Sequence, residues 1–303
     1  MSEAQIYTKE YSTNLEIALS QTETVLVNRF ETGTHTGEKA SPITYVAPVE
    51  AREITSRFAP MGRVDTDYER RWLSPRGFDL PLYVSEQDLL RTIQDPKSAL
   101  IQAQREAFMR KRDELAGIAF WGDALTGKDG TTTITWATEA AATPAGSQVV
   151  AQTVGSSGGS TAVGLNVAKL RAARKILKQN RVNLQMEEVF IGINAKADDD
   201  LLQEAQIISR DFNEPLVLKD GRIERFLGFT FVETEDIESD GTYLRIPVWT
   251  RKGMYWGKWS ELKTSVNPDI SIQDHPWQLY AKETQNSTRL DAKRVVEIKI
   301  TAS

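Results

Sequence analysis

Arg63-Val-Asp-Thr-Asp-Tyr-Glu-Arg-Arg-Trp72-Leu-Ser-Pro-Arg-Gly-Phe-Asp79 is the stretch on which the reading of this chain turns. From Met61 to Val84, charged residues (Arg63, Asp65, Asp67, Glu69, Arg70, Arg71, Arg76, Asp79) interleave with Val64, Tyr68, Trp72, Leu73, Phe78 and Tyr83. Ser74-Pro75-Arg76-Gly77 in the middle is a turn signal, so the pattern predicts a long charged hairpin. An isolated two-stranded hairpin is marginally stable in water, so it must lie against something, either its own domain or another molecule.

Immediately C-terminal, Asp95-Pro96 marks a helix start, because Asp caps free amides and Pro suits the first turn. Ala103, Ala107, Leu115 and Ile118 keep helical spacing, while Gln102, Arg105, Arg110, Arg112 and Asp113 occupy the other sides. A helix from Pro96 to Phe120 would be roughly 37 Å long at 1.5 Å per residue, enough to act as the spine of a domain. N-terminal to the hairpin, Met1 to Pro60 is mixed and broken by Gly33 and Gly37, which reads as an extended arm that needs a partner to order it.

Past Trp121 the chain turns rich in Gly, Thr, Ala and Ser up to Gly164, with strand-like pieces at Thr131 to Trp136 and Gln148 to Val154; this reads as a flexible hairpin insertion. Asn166 to Asn180 is an amphipathic helix with Val167, Leu170, Ala173 and Leu177 on one face, and Lys169, Arg171, Arg174, Lys175 and Lys178 elsewhere. Glu188 to Ile193 has the continuous apolar character of a buried central strand, and a helix around Ala197 to Ile208 follows. Lys219-Asp220-Gly221 is a hairpin turn. Strands are expected at Phe229 to Val232, Tyr243 to Trp249, Met254 to Trp259 and over the alternating Val296, Ile298 and Ile300. The fold class is therefore α+β.

Composition sets the outer bounds. With 303 residues and 40% hydrophobic residues, the chain is long enough for one large domain or two modest ones. The absence of cysteine excludes disulfides and thiol chemistry and agrees with assembly in a reducing cytoplasm. No apolar run approaches the length of a membrane span, and the start lacks the basic-then-apolar pattern of a secretory leader. A net charge of -5 argues against a protein that grips nucleic acid over its whole surface, although it does not contradict a container for DNA.

Several patterns that suggest chemistry fail on their neighbours. Gly122-Asp-Ala-Leu-Thr-Gly127-Lys128-Asp129 is one residue short of a phosphate-binding loop, has Asp where a hydroxyl should hold magnesium, and trails a helix instead of opening one. Gly155-Ser156-Ser157-Gly158-Gly159 fits a hydrolase nucleophile pattern by its letters but continues as a low-complexity linker. His35 and His275 lack metal-ligand spacing, and Asp198-Asp199-Asp200 suits the negative first turn of a helix. The expectation is no catalytic residue, no metal and no cofactor. The basic face of the Asn166 helix has no interleaved aromatic residues, so it reads first as a solvated face and second as a phosphate contact.

The order of motifs from Arg63 to Val232 carries a resemblance. Arg63 to Trp72, Asp79, Asp88-Leu-Leu-Arg-Thr-Ile-Gln-Asp-Pro-Lys-Ser98, Arg112-Asp113 and Ala124-Leu-Thr-Gly-Lys-Asp-Gly130 follow one another along the chain. Leu170-Arg-x-Ala-Arg174, Asn180-x-Val182, Ser209-Arg-Asp-Phe212 and Phe226-Leu-Gly-Phe229 come after them. Together they resemble a family of tailed-phage major capsid proteins with the Hong Kong 97-type capsid fold.

The resemblance implies an N-terminal arm (1–60), an extended loop hairpin (61–84), and a peripheral domain with the spine helix and a flexible insertion (85–164). An axial domain with a mixed sheet (165–276) follows, and C-terminal strands (277–303) return to the peripheral domain. It implies a non-enzymatic subunit that assembles with itself, as hexamers and pentamers, into an icosahedral shell around double-stranded DNA held by weak, non-specific contact. Arg63, Arg70, Arg71, Arg76 and Asp79 would meet a neighbour's charges, with Trp72 and Phe78 as apolar anchors. Some relatives cross-link a loop lysine to a neighbour's asparagine, but Met61 to Val84 contains no lysine, so no such cross-link is expected. About sixty residues precede the hairpin, too few for a large fused scaffolding segment, so a separate scaffolding protein and a portal are expected partners. The expected setting is the virion capsid, assembled in a bacterial host's cytoplasm. The alternatives are an encapsulin-like shell for protein cargo and, from another class, a nucleotide hydrolase using Gly122 to Lys128.

Overall fold

The computed structural model describes residues 23–46, 49, 51, 53, 68–85, 97–156, 161–204, 218, 219, 222–273 and 275–302. The first half of the chain forms β1 (Glu31–Thr34), β2 (Ala40–Val46), β3 (Tyr68–Leu73), β4 (Arg76–Val84), helix α1 (Lys97–Trp121), β5 (Ala124–Thr126), β6 (Thr132–Ile134), α2 (Trp136–Ala141) and β7 (Val149–Val150). The next part adds α3 (Val167–Gln179), β8 (Val189–Ile193), α4 (Ala195–Leu202) and the short pair β9 (Leu218–Lys219) and β10 (Arg222–Ile223). The last part comprises β11 (Arg225–Phe226), β12 (Phe229–Glu233), β13 (Tyr243–Thr250), β14 (Met254–Pro268), β15 (Trp277–Arg289) and β16 (Val295–Thr301).

A six-stranded mixed sheet, ordered β11-β12-β8-β13-β16-β7, forms one half of the molecule. All five residues of β8 are buried, as its apolar run requires of a strand covered on both faces. Residue alternation divides the two faces. Val189, Ile191, Ile246, Val248, Val296 and Ile298 pack under α3 and α4 with Leu170, Ala173, Leu177 and Leu201. Phe190, Trp249 and Val295 turn the other way, into a second core with Leu115, Phe120 and Trp121 of α1. Each large side chain buried there contributes about 1.5–3 kcal/mol. Asn166 caps α3 by accepting from Lys169 N–H, and Asn194 caps α4 by accepting from Ala197 N–H.

The second half is a four-stranded sheet, β1-β14-β15-β4, with α1 laid across it. Gln104 of α1 is buried and donates from Nε2 to the carbonyls of Leu80 (2.9 Å) and Leu279 (2.8 Å), tying the helix to β4 and β15. Asp113 is fully buried and accepts from the backbone N–H groups of Val25 (2.8 Å) and Leu26 (3.1 Å). The buried stripe of α1 thus carries polar residues, whereas Ile118, expected on it, is exposed.

Four expectations need correction. Residues 61–84 do not form one hairpin: β3 pairs with β2 and β5, β4 pairs with β15, and Ser74-Pro75 is the corner between two sheets. The turn signal is real, but the partner of β4 lies far along the chain. The Gly-rich stretch after Trp121 is no flexible hairpin: β6 pairs with β5, β7 lies parallel to β16, and Trp136 and Ala140 enter the second core. The part of the arm from residue 23 to 46 needs no other molecule to place it, since Leu26, Val27 and Phe30 are buried in that core and β1 runs parallel to β14. Of the last strands, β15 joins β4, but β16 sits between β13 and β7 in the six-stranded sheet. The arm's first residues, the Asp95-Pro96 helix start and the Ser209 to Phe212 motif lie outside the described residues.

Candidate assembly surfaces

Strands β2 and β3 form an antiparallel ribbon, registered from Ala40↔Leu73 to Val46↔Tyr68, and the chain joining their outer ends lies largely outside the described residues. At its root, β3 is held hard. Arg71 is buried; its Nε donates to the Leu290 carbonyl (3.0 Å) and its guanidinium pairs with Glu139 of α2. The same carboxylate receives Arg289 of β15, which is almost wholly buried, with Nε 2.6 Å from Oε2. Arg289 also donates to the Phe120 carbonyl (2.7 Å) and stacks 4.9 Å from the Trp136 ring. Burial pulls the Arg289 guanidinium below its ordinary pKa, and Glu139 pulls it back up. Beside this cluster Trp72 donates from Nε1 to the Gly127 carbonyl (2.7 Å). A Cβ on Gly130, whose φ is +65°, would come within 2.6 Å of the Trp72 ring.

The residues expected to face a neighbour therefore divide. Arg71 is buried and paired within its own chain, and Trp72 is half-buried with its indole N–H on the Gly127 carbonyl, so both fix the root of the ribbon. Arg70, Arg76 and Asp79 are exposed. Phe78 is half-buried against the second core, and Arg63 lies outside the described residues. Glu139 and Arg289 were missed. No local pattern marks a buried ion cluster whose members lie so far apart along the chain.

A second candidate is the long pairing of β14 with β15, which runs from Met254↔Arg289 out to Pro268↔Trp277. Along its outer half β14 is exposed, while β15 there pairs with β4 and buries Leu279 and Ala281; beyond the end of β14, Ile270 is 79% exposed and Ile272 42% exposed. Asp269 accepts from the N–H (3.0 Å) and the hydroxyl (2.5 Å) of Ser271, which lowers its pKa. Isolated exposed apolar residues are ordinary, but two of them on one connection suit a contact with another molecule.

The described residues of the two glycine-rich patterns lie in a short strand and in turns. Gly122 to Lys128 runs through β5 into the β5–β6 turn, where Lys128 is exposed. Gly155, with φ +86°, packs against Asn166, whose amide donates to the Val154 carbonyl (3.1 Å); residues 157–159 of the pattern lie outside the described residues. His35 Nε2 lies 2.8 Å from the Tyr255 hydroxyl, and burial lowers its pKa. Among the described residues no group of three His, Cys, Asp or Glu is placed to hold a metal, and no helix is long and apolar enough to cross a membrane. A cleft of about 380 Å³ beneath the ribbon is lined by Trp72, Arg76, Leu115, Asp123 and Asn286. On α3, Arg171, Arg174, Lys175 and Lys178 line an open groove with Leu227, but Lys169 is fully buried, not part of that face. Its Nζ donates to the carbonyls of Val163 (2.6 Å) and Lys299 (2.9 Å), and burial lowers its pKa to about 8.

Comparison with known proteins agrees with this architecture. The capsid of the cyanophage P-SCSP1u superposes with a TM-score of 0.74 at 12% identity, covering 99% of this chain and 94% of that one. The capsid of the cyanophage Pam1 gives 0.70 at 13% identity, with 100% and 98% covered, and Mycobacterium phage Che8 gives 0.69 at 12%, with 96% and 97% covered. At such identities the likeness speaks for the fold. No curated protein sequence matches. The family described as "Phage capsid protein" matches residues 4–302, nearly the whole chain. A projecting ribbon, a spine helix crossing one sheet, a mixed sheet under two helices and that family match lead to one conclusion: the chain belongs to the phage capsid protein family and is a structural subunit of a phage head.

Proposed function

We propose that this chain is the repeating, non-enzymatic unit of an icosahedral shell around double-stranded DNA, and that it assembles by laying the β2–β3 ribbon on an adjacent copy. The observation that carries this is the contrast along β3: Arg71 and Leu73 at the root are buried, whereas Tyr68, Glu69 and Arg70 further out are exposed. A strand pair anchored at one end and uncovered at the other is a marginal structure until something covers it. On this reading the extended loop is the ribbon from Ala40 to Leu73, and its neighbour-facing charges include Arg70, with Arg76 and Asp79 on the adjoining edge. Weak single contacts suffice, because each subunit makes many.

The reading includes hexamers and pentamers, a separate scaffolding protein, a portal, and DNA held without specific grip, with assembly in the host cytoplasm. Neither rival gains support: the family match names a phage capsid, and Lys128 has no phosphate-binding loop around it. Electron microscopy of the purified, expressed protein tests the proposal. Shells, sheets or capsomer rings are expected; a compact monomer under all conditions overturns it. Correctly sized shells from this chain alone would remove the scaffolding protein from the scheme, and particles holding a defined enzyme instead of DNA would favour the encapsulin alternative.

A further inference from the structure

The six-stranded sheet has oppositely charged ends. Strands β8 and β12 run parallel, so their C-terminal ends lie on one edge of the sheet and their N-terminal ends on the other. At the C-terminal edge, α4 follows β8 with Asp198 and Asp199, and the loop after β12 adds Glu235, Asp236, Glu238 and Asp240. This edge is crowded with like charge. Burial raises the pKa of Asp198, and Glu233 and Asp199 raise it further; burial raises that of Asp236, with Asp113, Glu114 and Glu235 adding to the effect. The nearby cations are already engaged, Lys196 with Asp200 and Arg245 with Glu238 and Glu297.

At the N-terminal edge the sign reverses. The last turns of α3 lead into β8, and the Leu227-Gly228 turn leads into β12. Between them lies the groove lined by Arg171, Arg174, Lys175, Lys178, Gln179 and Leu227, with a volume of about 630 Å³. None of these four cations has an ion-pair partner among the described residues, and the Arg174 Nε is removed from solvent without a hydrogen-bond acceptor. One strand of five residues, roughly 17 Å, separates the two edges, so the groove cannot be filled by the acidic edge of its own chain.

We infer that the basic groove of α3 receives the acidic edge of a second copy of this chain, a head-to-tail contact between adjacent subunits. The inference rests on the shell-subunit reading above and names the surfaces that close a ring of subunits. A contact between two different patches, repeated by rotation, generates closed rings when the rotation closes. Complementary charge steers encounter and sets register more than it adds affinity, which suits a ring that must form reversibly before a shell locks. Nucleic acid is the weaker candidate for the groove. The chain carries a net charge of -5, no aromatic residue lines the groove to stack on a base, and a polyanion would leave the acidic edge unmatched.

The test uses charge reversal on the full chain. Arg171→Glu, Lys175→Glu and Lys178→Glu together turn the four cations of the groove into three carboxylates and one guanidinium, and Asp199→Lys, Glu235→Lys, Glu238→Lys and Asp240→Lys turn the six carboxylates of the edge into four ammonium groups and two carboxylates; all seven side chains are exposed. Ring-forming association, read by sedimentation at low salt, is expected to weaken by about tenfold or more in each variant, as like charges now meet. A chain with both sets of substitutions should regain it. Mixing the two variants should give rings with even numbers of subunits only, since each accepts the other and not itself. If reversal prevents folding, Lys175→Gln with Lys178→Gln serves instead, and the expected result is a weaker salt dependence of association. Undiminished association of the groove variant, or of the edge variant, overturns the inference. Loss of binding to a short DNA duplex, with association intact, assigns the groove to nucleic acid. A parent chain that never associates overturns the shell reading itself, a different result from a parent that forms rings whose variants do so equally well.

Discussion

Glu139 and Arg289 lie side by side in the interior, Oε2 2.6 Å from Nε, and Arg71 reaches the same carboxylate from the ribbon. One anion therefore serves two buried cations drawn from β3 and β15. Removing it should cost more than any surface pair, because the cations remain buried without compensation. Glu139→Gln is expected to destabilise the unassembled subunit by about 3–5 kcal/mol in denaturant titration. It should also expose the ribbon root to limited proteolysis. Loss of less than about 1 kcal/mol, as for an exposed pair, would refute the assignment.

Asp113 holds the segment around Val25 to the middle of α1 through backbone amides. Asp113→Asn should cost about 1–3 kcal/mol, since at least one buried N–H loses its acceptor. The faster hydrogen exchange that results should be confined to residues 25–27 and the turn after them, not spread over the six-stranded sheet.

Lys169 gives a pH signature. Its pKa is about 8 in the folded chain against 10.5 for an ordinary lysine, so between those values the unfolded chain binds the extra proton. Stability from this group is therefore lowest below about pH 8 and rises as pH climbs toward 10.5. The stability difference between the parent and Lys169→Met should change in that sense across the window. A flat difference would show that the amine is solvated.

The ribbon from Ala40 to Leu73 contains no lysine, as was already true of Met61 to Val84; Lys39 stands just outside it. Mature particles boiled in detergent should give subunit-sized bands alone. A ladder of covalent multimers would contradict this.

Lys128 sits exposed in the β5–β6 turn. Lys128→Ala should change stability by no more than about 0.5 kcal/mol and leave assembly intact. Measurable nucleotide turnover abolished by that change would revive the enzyme alternative.

Local signals in the sequence were read correctly wherever the physics is local. The continuous apolar run of β8 and the helix over α3, with Asn166 and Asn180 at its ends, appear where the pattern puts them. The length of α1 was also legible, but not its buried face. Apolar spacing selects Ile118, whereas the helix buries Gln104 and Asp113 because carbonyls on β4 and β15 and amides near Val25 are there to meet them. Lys169 was misplaced for the same reason, since the carbonyls of Val163 and Lys299 that hold it belong to distant segments. The turn signal at Ser74-Pro75 was sound, but strand pairing is decided by partners far away in sequence. Arg70 and Arg71 illustrate the limit at the candidate site: adjacent residues of one type point to opposite sides of a strand, and only the surrounding fold decides which is buried.

The corner at Ser74-Pro75 also decides how force passes through the molecule. A pull on β4 is shared along nine paired residues with β15, whereas a pull on the ribbon reaches the body through two paired residues with β5, the hydrogen bonds of Trp72 to Gly127 and of Thr126 to the Arg70 carbonyl, and one ion cluster. On the shell reading, the ribbon root is the joint expected to yield before the sheet beneath it, so that strain bends the subunit there instead of tearing its core.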